Sequence, residues 1–492
     1  MKLYSFLKKV LGSVIILLSQ SAILQAQDLV QISDLNYIGG FRISANTFGA
    51  SNTNFSQGPI AYNKDNHSLF IVGHTNQQAI AEFPIPTPLN TSDISLMPIS
   101  NSPIQVFSQV LSRPTSGNTQ EIDRISGMYY AAATPNPKLL VNGFQYYDAS
   151  GAVTHTSFVV ENANNLATST VSGYHSMSGA AHASGWISDI PIEHQAELGG
   201  DLISGSSSGI PIISRLSVGP SAFVLNKSDF LNPISGNIPA TPVLDFSLSN
   251  PLNSDLYNNT LNNDIWTHLS QAIYGFIVPN TDTYMTIGHS GGHESGICYK
   301  CTPSGESSPC GGYCTYVSGD YDYYYWLWDV KDLVKVKNGQ LLSHEVVPYN
   351  YGVLTLPISN YYMKIGGGTY DSQSGTLYLS VQRIDSFQGT YSNPPVILAY
   401  HIQTINEPSH MLVGEQSIEL LPNSTTGIFK ITGELDKFVI KILDANAQVF
   451  LTINPTGTET SIDTNSLPAG MHFIRIENLL NSDLYLQKIL KY

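Results

Sequence analysis

Four segments of this chain follow one plan, and that repetition restricts the fold more than any other feature. GPIAYNKDNHSLFIVGH from Gly58, GMYYAAATPNPKLLVNG from Gly127, GFIVPNTDTYMTIGH from Gly275 and GGTYDSQSGTLYLSVQ from Gly367 each start on glycine. Each then runs through an apolar strand and a polar turn into a second strand of alternating large apolar residues. A third strand follows as AIAEFPI, SFVVEN and VILAYHI in the first, second and last copies, and YYYWLWDV, residues 323–330, fills that place for the copy at Gly275. GAAHASGWIS near Gly179 and SRLSVGPSAFVLN near Arg215 read as two degenerate units. Strand groups recurring about every 45 to 70 residues predict a mainly β chain and a β-propeller, whose radial packing buries flat sheet faces and leaves only short edges. The span between Asp28 and Pro408 accommodates five to seven blades, with six favoured, and NYIGGFRIS near Tyr37 is placed to complete the last blade. A two-domain sandwich is the competing fold. The main helical pattern is DIPIEHQAELGG, residues 189–200, with Asp189 as cap, Pro191 in the first turn and Gly199-Gly200 as stop.

The first 26 residues read as a signal peptide. Lys2, Lys8 and Lys9 precede the short apolar run Val10–Leu18, and the cut is expected after Ala26. That run is shorter than the roughly 20 residues needed to cross a bilayer, and no later stretch approaches this length. Residues 1–26 carry three lysines and no acid, so their removal takes the formal charge from −15 to −18. With only 12% charged residues and no basic run, nucleic acid is excluded as a partner class.

At the other end, LLPNSTTGIFKI, VIKILDANAQVF, SIDTNSLPAGMHFIRI and LQKILKY are strand-like runs separated by turn residues, which predicts a small Ig-like β-sandwich. Pro422, Asn423, Thr426 and Gly427, then Asp444, then Leu467, Pro468, Ala469 and Gly470, with the basic tail of Lys488 and Lys491, carry a resemblance. Residues 414–492 resemble the C-terminal sorting domain of type A substrates of the type IX secretion system. Ser424, Ala447 and His472 depart from it, where proline, glycine and tyrosine are usual. The resemblance implies the type IX machinery as a partner, passage across the outer membrane, and release or attachment at the cell surface. The middle of the chain resembles secreted bacterial propellers of unassigned function.

One segment breaks the repeat. In the first unit four residues separate the second strand from the third, whereas residues 290–322 form a long insertion on the face where ligand sites gather. All four cysteines lie in it, spaced C-x2-C-x8-C-x3-C. Zinc would suit that spacing. In an exported chain disulfides fit better, as Cys298–Cys301 with Cys310–Cys314 or as the nested pairing. Asp320 and Asp322 are the residues that would suit calcium, although no complete calcium loop is present. No cofactor is otherwise required.

His289, His293 and Glu294 open the insertion and are the candidate acid–base or ligand-contacting groups. His74 holds the equivalent strand end in the first unit. Arg124, Arg215 and Arg383 sit in strand contexts, where a guanidinium would suit a carboxylate or phosphate. Tyr325 and Trp326, in the aromatic run YDYYYWLWD, would suit stacking on sugar. Two function classes follow: a ligand-binding or adhesive module for carbohydrate or another surface component, or a hydrolase or lyase using His289, His293 and Glu294.

Overall fold

A computed structural model of the protein describes residues 29–491, except 134–135, 149, 208–216, 359–362, 403–408, 414–415, 422–427, 433–435, 445–447, 464–466, 469 and 479–483. The expected signal peptide at residues 1–26, Arg215, Pro422, Asn423, Thr426, Gly427 and Ala469 lie outside the described residues.

The chain is mainly β. Residues 35–402 build five sheets of four or five strands. The first holds Ile60–Asn63, Ser68–Val72, Ile80–Pro84 and Gln105–Ser108. The second holds Arg124–Ala131, Lys138–Phe144, His155–Val160 and Val171–Met177. Trp186–Asp189, Leu202–Gly205, Ala222–Leu225 and Thr241–Leu244 form the third. Gln271–Ile277, Thr283–Gly291, Tyr321–Asp329 and Asn350–Val353 form the fourth. The fifth joins Ile365–Asp371, Thr376–Val381 and Val396–Ile402 to the N-terminal strand Leu35–Ile43, which pairs antiparallel with Val396–Ile402 as the sequence led us to expect.

The two degenerate units are one. Trp186 and Phe223 lie in the first and third strands of the same sheet, held apart in sequence by the helix Ile192–Leu198 and the strand Leu202–Gly205. That helix is capped by Pro191 rather than Asp189, and ends at Gly199 in the left-handed conformation at φ 78°. Ending there suits glycine, which lacks the Cβ that disfavours positive φ.

The first strands of the five sheets touch in sequence, one to two, two to three, three to four and four to five, and the fifth touches the first. Polar bonds tie these neighbours together. Asn142 Nδ2 donates to Gly185 O at 3.0 Å, Ser188 Oγ to Gly275 O at 2.8 Å, and Tyr62 N to Thr369 Oγ1 at 3.0 Å. This packing explains the glycine that opens two of the repeats. A Cβ on Gly367 would stand 2.7 Å from Pro59 Cα, and one on Gly127 would overlap the Gly185 carbonyl. The connections between third and fourth strands also reach backwards. Asn237–Ile238 adds a parallel strand to the second sheet, and Ile99–Ser100 adds one to the fifth.

The second strands Ser68–Val72, Thr283–Gly291 and Thr376–Val381 are buried along their whole length. Their alternation therefore does not mark one wet face: both faces are covered by neighbouring sheets. Trp266, Trp326, Trp328 and Tyr284 are among the largest fully buried side chains.

Residues 409–491 form two further four-stranded antiparallel sheets. Ile431 and Ile462 of one share a core with Phe438, Ile440, Ile442, Ile474 and Ile476 of the other. His472 is buried and lies 2.8 Å from Pro468 O through Nε2, a bond its protonated ring nitrogen can donate.

Candidate functional site

Because first and second strands run antiparallel, the start of each first strand lies beside the end of its second. At this end of the five sheets is a cavity of about 430 Å³. Pro59, Arg124, Trp186, Gln271 and Gly366 line it from the first-strand side, and Phe144, Ser206, His289 and Gln382 from the second-strand side. Three of the five first strands change register just inside this end, between Ile125 and Gly127, Ala272 and Tyr274, and Ile365 and Gly367. Such bulges re-aim the residues beside them.

His289 stands opposite Gln271 on one side and Tyr323 on the other. It is 5% exposed, and its Nδ1 has no hydrogen-bond partner. Burial, with a smaller contribution from the Lys364 charge, holds the imidazole pKa well below its ordinary value, so the ring is neutral. Gln382 is 6% exposed. Its Nε2 donates to Ile365 O at 3.2 Å, while Oε1 has no partner. Two buried, unsatisfied polar atoms on side chains of one cavity are unusual, because each costs about 1–3 kcal/mol unless something binds it.

Two cationic side chains also line the cavity. Arg124 pairs with Asp123 at 3.2 Å and lies over the Tyr146 ring at 5.1 Å. Lys364 is held below the usual lysine pKa by burial and then by the nearby Arg383 charge.

The other sequence candidates do not converge here. His74 follows the strand Ser68–Val72; its Nδ1 accepts from Asn76 N at 3.1 Å and its ring meets Phe55 edge-on at 5.8 Å. His293 is bound at both ring nitrogens, with Nδ1 2.9 Å from Asn263 O and Nε2 2.6 Å from Ser290 Oγ, and its ring stacks on Tyr324. Glu294 is exposed. Trp326 is fully buried and donates to Ile265 O at 2.7 Å, while Tyr325 is 6% exposed and donates to Asn350 at 2.9 Å, so these two rings offer no stacking face. Arg383 lies over the Phe55 ring at 5.3 Å.

The insertion is not a structureless cover. Ile297–Tyr299 and Tyr313–Thr315 pair as a small hairpin, and among the described residues 292–320 none lines the cavity. It packs instead on residues 257–268. Asn258 Nδ2 donates to Gly292 O and His293 O, each at 2.8 Å, and His268 stacks on Tyr313 at 4.6 Å. Disulfides join Cys298 to Cys301 and Cys310 to Cys314. The Cys298, Cys301 and Cys314 sulfurs lie within 4.8 Å of one another, a grouping that thiolates could offer to zinc only after reduction. Asp320 is not shaped for calcium: it accepts from Ser295 N at 2.7 Å and Ser295 Oγ at 2.6 Å, closing the base of the insertion.

Gln382 and Lys364 were missed by sequence reasoning. The signal for Gln382 was in the repeat itself, since it closes LYLSVQ at the place where histidine closes IVGH and TIGH. Lys364 carried no comparable signal.

No helix among the described residues is long and apolar enough to cross a membrane. No curated protein matches the chain. Among solved structures, the chain is similar to PorZ, described as an essential bacterial surface component of the type IX secretion system of Porphyromonas gingivalis, at 12% identity and a TM-score of 0.29, covering 91% of this chain and 53% of that one. It is also similar to an ancestral GH74 enzyme, at 9% identity and a TM-score of 0.31, covering 92% and 51%. The third is a Bombyx mori GH32 β-fructofuranosidase, at 9% identity and a TM-score of 0.37, covering 93% and 90%. The chain thus spans about half the length of the first two. A family model, the secretion system C-terminal sorting domain, matches residues 419–491. Residues 419–491 are therefore a C-terminal sorting domain that engages type IX secretion, and the chain that carries it is exported to the cell surface or the extracellular space.

Proposed function

We propose that residues 28–408 form a five-bladed β-propeller acting as an extracellular ligand-binding module, with residues 414–492 as an Ig-like sorting sandwich. The cyclic contact of the five first strands, with the N-terminal strand completing the fifth sheet, supports the propeller. The observation that carries the binding role is the pair of buried, unpartnered polar atoms, His289 Nδ1 and Gln382 Oε1, on side chains lining one cavity. Catalysis by His289, His293 and Glu294 is the weaker reading. His293 is held by Ser290 and Asn263, and Glu294 is not among the described lining residues, so no acid and base converge.

The test is a glycan array on the mature protein, repeated with His289→Gln and Gln382→Leu. Both variants should lose about tenfold or more of the array signal while melting within a few degrees of the wild type. Unchanged array signal in both, or a stability loss of several kcal/mol in both, would mean that these side chains serve packing only.

A further inference from the structure

We propose that the four cysteines of the insertion, once reduced, form a tetrahedral zinc site, so that one Zn²⁺ and the two disulfides are alternative staples of the same hairpin. The inference stands apart from the His289 cavity and does not rest on it.

Sulfur geometry carries the argument. Disulfides join Cys298 to Cys301 and Cys310 to Cys314, and two such bridges have no need of one another. Here they meet. Cys314 Sγ lies 3.7 Å from Cys298 Sγ and 3.7 Å from Cys301 Sγ, the two sulfurs of the other bridge. A tetrahedral site with Zn–S bonds of about 2.3 Å holds its sulfurs about 3.8 Å apart, so both separations match the edge of such a site.

The backbone keeps the fourth sulfur in the same place. Lys300 N donates to Gly312 O at 2.7 Å and Cys310 N to Cys301 O at 2.9 Å, which ties the Cys310–Cys314 loop to the Cys298–Cys301 loop. Cys298 and Cys314 stand opposite one another across the hairpin and are both buried. Each strand thus delivers one buried ligand, and the loop beside it delivers a second.

Chemistry selects the metal. Four thiolates are soft ligands with no oxygen donor among them, which suits Zn²⁺ over Ca²⁺ or Mg²⁺. The insertion also needs a staple, because its two strands have three residues each and the connection 302–312 is mostly exposed. The cytosol keeps thiols reduced, so an exported chain starts with four thiols and either staple is open to it. From the oxidised protein a phosphine opens the site. Each bridge takes two electrons from one phosphine and two protons from a water molecule, whose oxygen leaves on the phosphine oxide. Zn²⁺ then binds the four sulfurs and releases their protons to the buffer.

The experiment reduces the untagged mature protein with a phosphine under nitrogen and titrates it with Zn²⁺ against a chromophoric chelator, and separately with Co²⁺. One equivalent of either metal should bind, and cobalt should show the intense thiolate charge-transfer band and the visible bands of a tetrahedral all-sulfur site. Hydrogen exchange across residues 292–320 should be fast in the reduced metal-free protein and slow again once zinc is added. Cys301→Ser and Cys310→Ser should each weaken zinc binding by about tenfold or more and change the cobalt spectrum. The oxidised protein should take up no metal under the same conditions. Should a serine variant fail to fold, the wild-type cobalt spectrum and exchange still decide. Reduced protein that takes up no metal, equal uptake by the oxidised protein, or uptake unchanged in both serine variants overturns the inference. So does a cobalt spectrum without thiolate character, or exchange that stays fast with zinc bound.

Discussion

Trp186 Nε1 donates to the Tyr284 phenolic oxygen at 3.1 Å, and Tyr284 donates in turn to Ser221 O at 2.8 Å. This two-step chain joins the first strand of the third sheet to the second strand of the fourth, and both rings are buried. Tyr284→Phe keeps the ring and removes the relay, leaving the Trp186 donor and the Ser221 carbonyl unsatisfied. We expect a loss of about 1–3 kcal/mol in chemical denaturation. A neutral effect would mean that the hydrogen bonds add nothing beyond the packing of the ring.

His293 should behave as a structural residue. With Nδ1 donating to Asn263 O, its Nε2 accepts from Ser290. His293→Ala strands the Asn263 carbonyl and takes one of two partners from Ser290 Oγ, which keeps Ser270 Oγ at 2.6 Å, so stability should fall by about 1–3 kcal/mol. Hydrogen exchange should rise in 257–268 and in the insertion, while ligand binding at the His289 cavity stays unchanged. Loss of binding with unchanged exchange would restore His293 to the functional site.

The titration of His289 has a defined sign. Its folded pKa is depressed, so between about pH 6.5, the ordinary imidazole value, and the lower folded value the unfolded chain binds the extra proton. The contribution of His289 is complete above about pH 6.5 and is lost below it, at up to about 1.4 kcal/mol per pH unit. Denaturation between pH 5 and 7 should therefore show a smaller slope in His289→Gln than in the wild type. Identical slopes would place His289 in water-accessible surroundings.

The disulfides should matter locally. They close loops of sequence separation three and four, and on the chain-entropy account each restricts the unfolded chain by only about 2 kcal/mol. Peptide mapping of unreduced protein should recover Cys298–Cys301 and Cys310–Cys314 with no free thiol. Reduction should loosen residues 292–320 and leave the five-sheet region protected from exchange. Recovery of Cys298–Cys314 would instead favour the cross-strand register, in which these two residues stand opposite one another.

Deletion of residues 414–492 should leave the five-sheet region folded, because none of its strands comes from that segment. Delivery to the surface of the native host should stop, since the sorting domain is removed. Undiminished surface protein in the truncated strain, measured by protease accessibility of whole cells, would show that the address lies elsewhere.

Sequence alone determined the β class, the strand pairs of four units, the joining of the N-terminal strand to the last sheet, and the sorting domain. These are legible because turn residues, strand period and short motifs are local. The merger of two fragments into one sheet around Trp186 and Phe223 was not legible, since a helix and a strand separate them in the chain. Nor was the fate of the aromatic run. Alternation puts half of its rings on each face of the sheet, but whether a face meets water or a neighbouring sheet is a tertiary fact, and Trp326 ended fully buried. The same limit governed the site. His289 and His293 are four residues apart and chemically alike, yet one lines a cavity with an unsatisfied nitrogen and the other is bound at both. Spacing along a strand end fixes neither outcome. Ser290 lies three residues from His293, but Asn263, which holds its other ring nitrogen, and Lys364 and Gln382, which line the cavity with His289, come from different segments that only the packing of the sheets brings together.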